Sequence, residues 1–507
     1  MQPAYRVADV RVAEAAVMSR VPPDSLMAVA ARGLAVATMR WLEGRGRSIP
    51  GADVVVLVGS GNNGGDALYA AAHLGQRGAR VTVVTLSSSP HPGGLAAAVA
   101  AGARVLPATD STALERATAA AAGADVVLDG IVGIGGSGAL RPPADALAAA
   151  AQGHTIAVDL PSGVDPDTGV VADPQACVAA EVTVTFGVLK PGLVLPEGSW
   201  RAGLLHLVDI GLSPELADVA PVAVLMDAPG AARRVPVPQR SDDKYTRGVV
   251  GVVAGSQQYP GAGILCTGAA RFGGVGMVRY AGGAGDVVVT RWPEVVPTHG
   301  KVDGAGRVEA WIVGPGAGTD DDARRRLAEA VASDVPLLVD ADGITLVAED
   351  PALRDDIAAR AAPTLFTPHA GEFARLGGTL DQADGRLAAV RELAANLGSV
   401  VLLKGAATVV AGAEGTAAVS ASGPPELATA GSGDVLSGLI GSMLAAGNAR
   451  AGGELTEADV VEIAAAGAYL HGLAARLAAE GGRPIVSEDV LASVPTAIAV
   501  ARQSEED

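Results

Sequence analysis

The chain has 507 residues, too many for one ordinary core, so its length points to two or three domains. Hydrophobic residues make up 49% and charged residues 18%, which excludes disorder and collagen-like repeats, and with aromatics at 3% the interior must be packed by Ala, Val and Leu. A formal charge of −18 without a Lys/Arg cluster excludes a nucleic-acid partner, but not a small anionic substrate held by backbone donors.

Charges in Tyr5-Arg6-Val7-Ala8-Asp9-Val10-Arg11 interrupt the apolar core that a signal peptide needs. Apolar runs follow at 54–58, 81–85, 126–128, 155–158, 182–186 and 204–208, with Ala-rich helical stretches such as 67–77 and 113–122 between several of them. Such unalternating runs separated by helices predict a parallel sheet covered on both faces. Residues 213–244 carry five prolines and the pair Arg233-Arg234 without a clear period. They read as a linker over 213–243, between domains 1–212 and 244–507. The second half repeats the scheme at 249–254, 287–290, 311–313, 337–339, 364–366 and 400–403, and ends in helices around 458–479.

The longest uncharged stretch, 248–270, could span a membrane by length alone. Gln257, Gln258, Pro260 and its glycines fit a buried strand, loop and helix better, so no membrane partner is expected. Two cysteines, Cys177 and Cys266, cannot build a disulfide framework or a thiolate metal site; a reducing, cytoplasmic location is expected. A homo-oligomeric assembly is also expected.

Gly59, Asp129, Asp159, Gly314, Asp340, Thr367 and Lys404 each follow an apolar run. In open parallel sheets the ligand crevice lies beyond the carboxyl ends of the strands, so these breaks describe two crevices, one per half. In the first half they belong to glycine-rich turns. Gly59-Ser60-Gly61-Asn62-Asn63-Gly64-Gly65-Asp66 is one, the run from Asp129-Gly130-Ile131 to Gly138 is another, and Asp159-Leu160-Pro161-Ser162-Gly163 is a third. Taken singly, the first could be a plain strand-to-helix connection and Asp159 a capping or turn aspartate.

Together these motifs, with Thr185-Phe186-Gly187-Val188-Leu189-Lys190-Pro191-Gly192, resemble the NAD(P)HX epimerases over roughly residues 5–212. The resemblance implies a Rossmann-like three-layer αβα domain that interconverts the R and S hydrates at C6 of the dihydronicotinamide ring. It implies that Asn62, Asn63, Gly64, Gly65 and Asp66 hold the dinucleotide with Gly133, Ile134, Gly135, Gly136, Ser137, Gly138 and Ala139. Asp159 is implied as the acid/base, and Asn63, Asp129 and Ser162 as ligands of a potassium ion, their oxygens suiting a hard cation. Ala67 and Ala72 depart from the family pattern, which usually has a glycine and often an arginine there.

In the second half, Ala430-Gly431-Ser432-Gly433-Asp434 opens an uncharged helical run. A glycine-flanked aspartate at a helix N-terminus can deprotonate an alcohol while adjacent N–H groups stabilise a transferring phosphoryl group, and in this the second half resembles the ribokinase-like α/β phosphotransferases. Lys404-Gly405-Ala406-Ala407-Thr408 could line a nucleotide phosphate path, although Lys404 could also serve an ordinary salt bridge. Gly314-Pro315-Gly316-Ala317-Gly318 gives another close backbone approach. Asp340 and Asp342 could bind a magnesium–phosphate group or cap the following helix.

Thr367-Pro368-His369-Ala370-Gly371-Glu372-Phe373 and Gly255-Ser256-Gln257-Gln258-Tyr259-Pro260-Gly261-Ala262 separate this half from sugar kinases. Over about 244–494 it resembles the ADP/ATP-dependent NAD(P)HX dehydratases, whose bacterial members use ADP. The resemblance implies that Ala262, Gly318, His369 and Asp434 contact the hydrated dinucleotide, and that Lys404, Gly405, Ala406, Ala407, Thr408 and Gly433 contact the nucleotide. Ala430 stands where many relatives have glycine. The implied whole is a repair enzyme for NADHX and NADPHX that uses ADP, magnesium and potassium. Two rival readings remain: a small-molecule kinase for a sugar or vitamin alcohol, and a nucleotide sensor whose N-terminal half only binds.

Overall fold

In the computed structural model, which describes residues 1–108, 110–136, 138–298, 301–380 and 384–504, the chain forms two compact units. One comprises Pro3–Val222; the other begins at Ala223 and takes in Met1–Gln2.

The N-terminal unit is built on an all-parallel sheet in the order Arg104–Pro107, Arg80–Thr85, Asp53–Val58, Val126–Gly130, Thr155–Val158, Val182–Phe186, Leu204–Val208. Alternate residues of each strand face opposite layers, so Val54, Val56 and Val58 enter one core and Val55 and Leu57 the other. Helices Ser25–Gly44 and Asn62–Gln76 pack on the first side, Ser111–Ala122 and Ala144–Ala150 on the second. This is the expected three-layer αβα arrangement. The apolar runs match strands, and the sheet gains Arg104–Pro107, an edge strand whose exposed Arg104 and Pro107 leave no apolar run.

In the C-terminal unit, parallel strands stand in the order Val400–Leu403, Thr364–Phe366, Leu337–Val339, Ala310–Val313, Val249–Val253, Met277–Tyr280, Val296–Pro297. Its core is capped by the long helices Ser432–Arg450, Glu457–Ala478 and Ser487–Gln503. Helix Glu457–Ala478 is long and apolar enough to cross a membrane, but 72% of its apolar window is buried inside the fold. The uncharged 248–270 stretch is strand Val249–Val253, a loop and helix Pro260–Ala270, as expected.

Three expectations differ from the structure. The second sheet is not wholly parallel, because Val400–Leu403, Thr408–Ala411 and Ala417–Ser420 form an antiparallel meander. Residues 287–290 are helical, within Gly285–Arg291; the Val-Val-Val run looks like a strand, but Val288 goes into the core while Val287 stays exposed. Residues 213–243 are not a free linker. Strand Ala223–Leu225 pairs parallel with Ala417–Ser420, and helix Ala228–Arg233 packs on Glu457–Ala478 and Ser487–Gln503. The division therefore falls at Val222/Ala223 rather than at 212 and 244.

Candidate active sites

In the N-terminal unit the chain goes outward from Asp53–Val58 to Arg80–Thr85 and Arg104–Pro107, then returns to the other side at Val126–Gly130. Strand order reverses there, so a crevice opens at the carboxyl ends. The Gly59 and Ile131 loops press together across it: a Cβ added to Gly59 would lie 1.9 Å from the Ile131 carbonyl, so only glycine fits. Beside them is a cavity of about 630 Å³, a size suited to a small ligand. Asn62, Asn63, Asp66, Gly133, Ile134, Gly135, Gly136 and Asp159 line it, joined by Arg11, Glu14 and His91.

Other residues of the expected set lie elsewhere. Gly64 and Gly65 are buried within helix Asn62–Gln76, Gly64 against the Gly59 carbonyl and Gly65 against Met27. Gly138, Ala139 and Ser162 line a neighbouring cavity of about 350 Å³ that shares Ser60, Ile131, Val132, Gly133 and Gly136 with the first. Ser137 falls outside the described residues.

Asp159 follows strand Thr155–Val158 with φ 63°, a left-handed backbone rare for a non-glycine residue. Such strain persists where surrounding contacts fix it, often at functional sites. Oδ1 accepts from Lys190 Nζ at 2.5 Å, Thr185 Oγ1 at 3.1 Å and the Phe186 amide at 3.2 Å. The Lys190 ammonium also donates to Thr185 Oγ1 (3.0 Å) and the Phe186 carbonyl (2.9 Å), so all three protons are used in a site only 1% exposed. Oδ2 accepts from no described residue and belongs to a cavity-lining side chain. In the same cavity, burial first, then the charges of Asp159 and Glu14, push the Asp66 carboxyl well above the usual range, against the pull of Lys190. Burial and Asp159 raise Glu14 too.

Asp129 is fully buried in strand Val126–Gly130. Its carboxylate accepts from Ser162 N (2.8 Å), Ser162 Oγ (2.7 Å) and Ile131 N (3.2 Å). Burial outweighs these bonds and raises it to about 6. Asn63 Nδ2 is buried without a hydrogen-bond partner among the described residues.

In the C-terminal unit, the order of adjacent strands sets Lys404, Thr367, Asp340 and Gly314 side by side at one edge. Lys404 Nζ lies 2.8 Å from Asp340 Oδ1 and 3.8 Å from Glu372 Oε2, and Asp340 Oδ2 accepts from Ser437 Oγ at 2.7 Å. Burial works to lower Lys404, but Asp340 and Glu372 outweigh it and raise it. Ala341, between the two aspartates, has φ 48°. Gly314 sits against the Asp340 carbonyl, where an added Cβ would be 1.9 Å from oxygen, and Gly318 N donates to Asp342 Oδ2 at 2.9 Å. Ala262 lies against Gly316, which leaves room for no larger side chain between them.

Helix Ser432–Arg450 begins after Gly431 at φ 86°, while Ala430 stays outside the left-handed region and is compatible with alanine. Asp434 is in the first turn. Burial, then the Asp340 charge, raise it to about 7 against the pull of Lys404. A base poised near neutrality beside a helix N-terminus suits proton abstraction next to a phosphate. Gly433 is close to the same lysine, with an added Cβ 3.5 Å from Lys404 Nζ. His369 caps helix Ala370–Arg375: Nδ1 accepts from the Gly371 and Glu372 amides, and Glu372 Oε2 accepts from the His369 amide. Its side chain is 59% exposed at this edge. Gly405 and Ala406 are exposed at the start of the meander, Ala407 is buried, and Thr408 begins strand Thr408–Ala411.

Lys190, Glu14 and Ser437 lie at the sites without being among the expected site residues. Lys190 carried a signal, a lone cation within Val188-Leu189-Lys190-Pro191, where an unpaired charge could not be buried. Glu14 carried none.

Comparison with known proteins follows this division. A family described as YjeF-related protein N-terminus matches residues 23–192, and one described as NAD(P)H-hydrate dehydratase matches 250–494. The chain is 48% identical over 450 residues to the bifunctional NAD(P)H-hydrate repair enzyme of Mycobacterium tuberculosis, covering 87% of this chain and 89% of that protein. It is 45% identical over 503 residues to the enzyme of the same name from Mycobacterium leprae, covering 98% and 99%. Among solved structures, the ADP/ATP-dependent NAD(P)H-hydrate dehydratase of Bacillus subtilis, co-crystallised with ATP/Mg2+, matches 55% of this chain and 99% of that one at 23% identity and TM-score 0.48.

Proposed function

Because the chain belongs to the family of bifunctional NAD(P)H-hydrate repair enzymes, we propose that its N-terminal cavity interconverts R- and S-NAD(P)HX and its C-terminal unit dehydrates the S form with ADP. The observation that carries the second activity is Asp434, a carboxyl raised to about 7 at the N-terminus of Ser432–Arg450, beside the Lys404–Asp340 pair.

Asp434 takes the proton of the C6 hydroxyl as that oxygen attacks the terminal phosphorus of ADP, and the bond to AMP breaks. The ring nitrogen lone pair then expels phosphate from C6, and loss of a C5 proton restores the dihydronicotinamide ring. Ala262, Gly318 and His369 would contact the hydrated dinucleotide. Gly433 and residues 404–408 would contact the nucleotide, with Lys404 drawing the phosphate in. In the first unit, Asn62, Asn63, Asp66 and the 133–139 loop would hold the dinucleotide against Asp159.

For magnesium, Asp340 is a poor ligand because the Lys404 ammonium already neutralises its carboxylate. Asp342 fits better, since only its Oδ2 takes a bond, from Gly318 N. A divalent cation there would neutralise phosphate charge. A potassium ion suits the oxygens of Asn63, Asp129 and Ser162, where the buried carboxylate has no cationic side-chain partner among the described residues. Potassium would supply the missing positive charge. The two buried free cysteines support a cytoplasmic site of action, and we extend the reading to a homo-oligomer.

The experiment is incubation of the full chain with acid-hydrated NADH, ADP, magnesium and potassium, following the near-ultraviolet absorbance of reduced nicotinamide. Complete return from both epimers is expected. A stable phosphorylated product without absorbance return would favour the small-molecule kinase instead.

A further inference from the structure

Epimerising C6 needs more than one proton-handling group. The C6 hydroxyl is a poor leaving group, and the water that replaces it must lose a proton. Asp159 is committed through Oδ1 to Lys190, Thr185 and Phe186, which leaves one oxygen for the cavity. A second carboxyl lines the same cavity. Asp66, in the first turns of helix Asn62–Gln76, has Oδ1 buried without a hydrogen-bond partner among the described residues. A buried ionised carboxylate would not be left so, whereas a carboxyl holding its proton is suited to donating it.

We propose that Asp66 is the general acid of the epimerisation, paired with Asp159 as the base, an inference that rests on the epimerase reading of this cavity. Asp66 gives its proton to the C6 hydroxyl. The C6–O bond breaks, its electrons leave with water, and the N1 lone pair forms C6=N1⁺. Water adds to the opposite face of C6 and its surplus proton goes to the free oxygen of Asp159. Composition is unchanged, and solvent returns the proton from Asp159 to Asp66, or the reverse reaction begins with Asp159 as donor. Carboxylates around the cavity favour the transient cation. The groups facing Asp66 are Glu14 and Arg11 from helix Val7–Met18, Asp159 and Lys190 from the strand ends, and His91, which lines the same cavity. Burial, Asp159 and Glu14 all favour its protonated form, and Lys190 opposes them.

The test uses the full chain without nucleotide, so that dehydration is silent, and follows R/S ratios of hydrated NADH by chromatography. Asp66→Asn keeps the shape but has no acid proton, and kcat should fall by at least ~100-fold. The rise in melting temperature caused by hydrated NADH should persist in this variant. Wild-type kcat should fall on the alkaline side as Asp66 loses its proton, the residual rate of Asp66→Asn should lack that limb, and Glu14→Gln should move the limb to lower pH. Turnover by Asp66→Asn within about threefold of wild type, or an alkaline limb that survives the substitution, overturns the proposal. Should Asp66→Asn fail to fold, an unmoved limb in Glu14→Gln overturns it instead. A wild-type chain that binds hydrated NADH but leaves the R/S ratio unchanged overturns the epimerase reading, and this inference with it.

Discussion

Lys190 Nζ lies 2.5 Å from Asp159 Oδ1, two residues 31 apart in the chain brought together because strands Thr155–Val158 and Val182–Phe186 are neighbours in register. The lysine spends every proton on this corner, so it fixes one oxygen of Asp159 and leaves the other to the cavity. Removing one partner of a buried pair strands the other charge, at a cost of roughly 3–5 kcal/mol. Lys190→Met should lower the stability of the N-terminal unit by about that amount in denaturant melts and abolish epimerisation. A loss under ~1 kcal/mol would show that Asp159 has another counter-charge.

Asp434→Asn should remove dehydration by roughly 10²- to 10⁴-fold and leave epimerisation intact. The wild-type dehydration rate should rise with pH through about 7, where the base loses its proton. Stability has the opposite sign. Asp434 is raised from 3.8, so the folded state holds the proton more tightly and the group costs stability as pH rises through that window. The variant should therefore be more stable than wild type at pH 8, on the order of a few kcal/mol, and equal to it near pH 3. Melting curves at the two pH values check both signs.

How much of this was legible follows from burial. Strands such as Asp53–Val58 are covered on both faces and appear as unbroken apolar runs, and the residues ending them fall at the sites because parallel sheets align their carboxyl ends. The meander after Lys404 was less legible, since Ala411–Ala417 turns back within a few small residues and gives no run of its own. Ion pairs were invisible in principle: nothing local to Lys190 or Lys404 names Asp159 or Asp340, which lie 31 and 64 residues away. Ser437 was hidden because it faces inward from a buried, uncharged stretch of helix Ser432–Arg450 and looks like packing.

Epimerisation should depend on potassium, and the dependence should steepen in acid. Asp129, raised to about 6 by burial, is the only charged member of the Asn63–Asp129–Ser162 set. Below that pH it takes up a proton and gives up its attraction for a cation, so the potassium concentration for half-maximal rate should climb as pH falls from 7 to 5. Asp129→Asn should abolish the potassium response. A half-maximal concentration that stays constant over this range removes Asp129 from the cation's ligands.

The two activities should separate when the chain is cut between Val222 and Ala223, the boundary of the compact units. The proline-rich segment conceals structure the C-terminal unit needs. Met226, Ala231, Ala232 and Val235 are each no more than 3% exposed and belong to its main core, beneath Glu457–Ala478 and Ser487–Gln503. A fragment starting at Lys244 loses all four, together with the strand that pairs with Ala417–Ser420. At about 25 cal/mol per Å² of apolar surface, that loss is worth ~4 kcal/mol or more, a large share of a domain's net stability. Residues 223–507 should fold, bind ADP and consume only the S hydrate, whereas 244–507 should melt much lower or aggregate. Residues 3–222 should equilibrate R and S hydrates without nucleotide, and Asp159→Ala should stop them. Equal melting temperatures for the two C-terminal fragments would show that 223–243 is a linker after all. A folded 3–222 fragment that binds hydrated NADH in potassium yet leaves the epimer ratio unchanged would make that half a sensor.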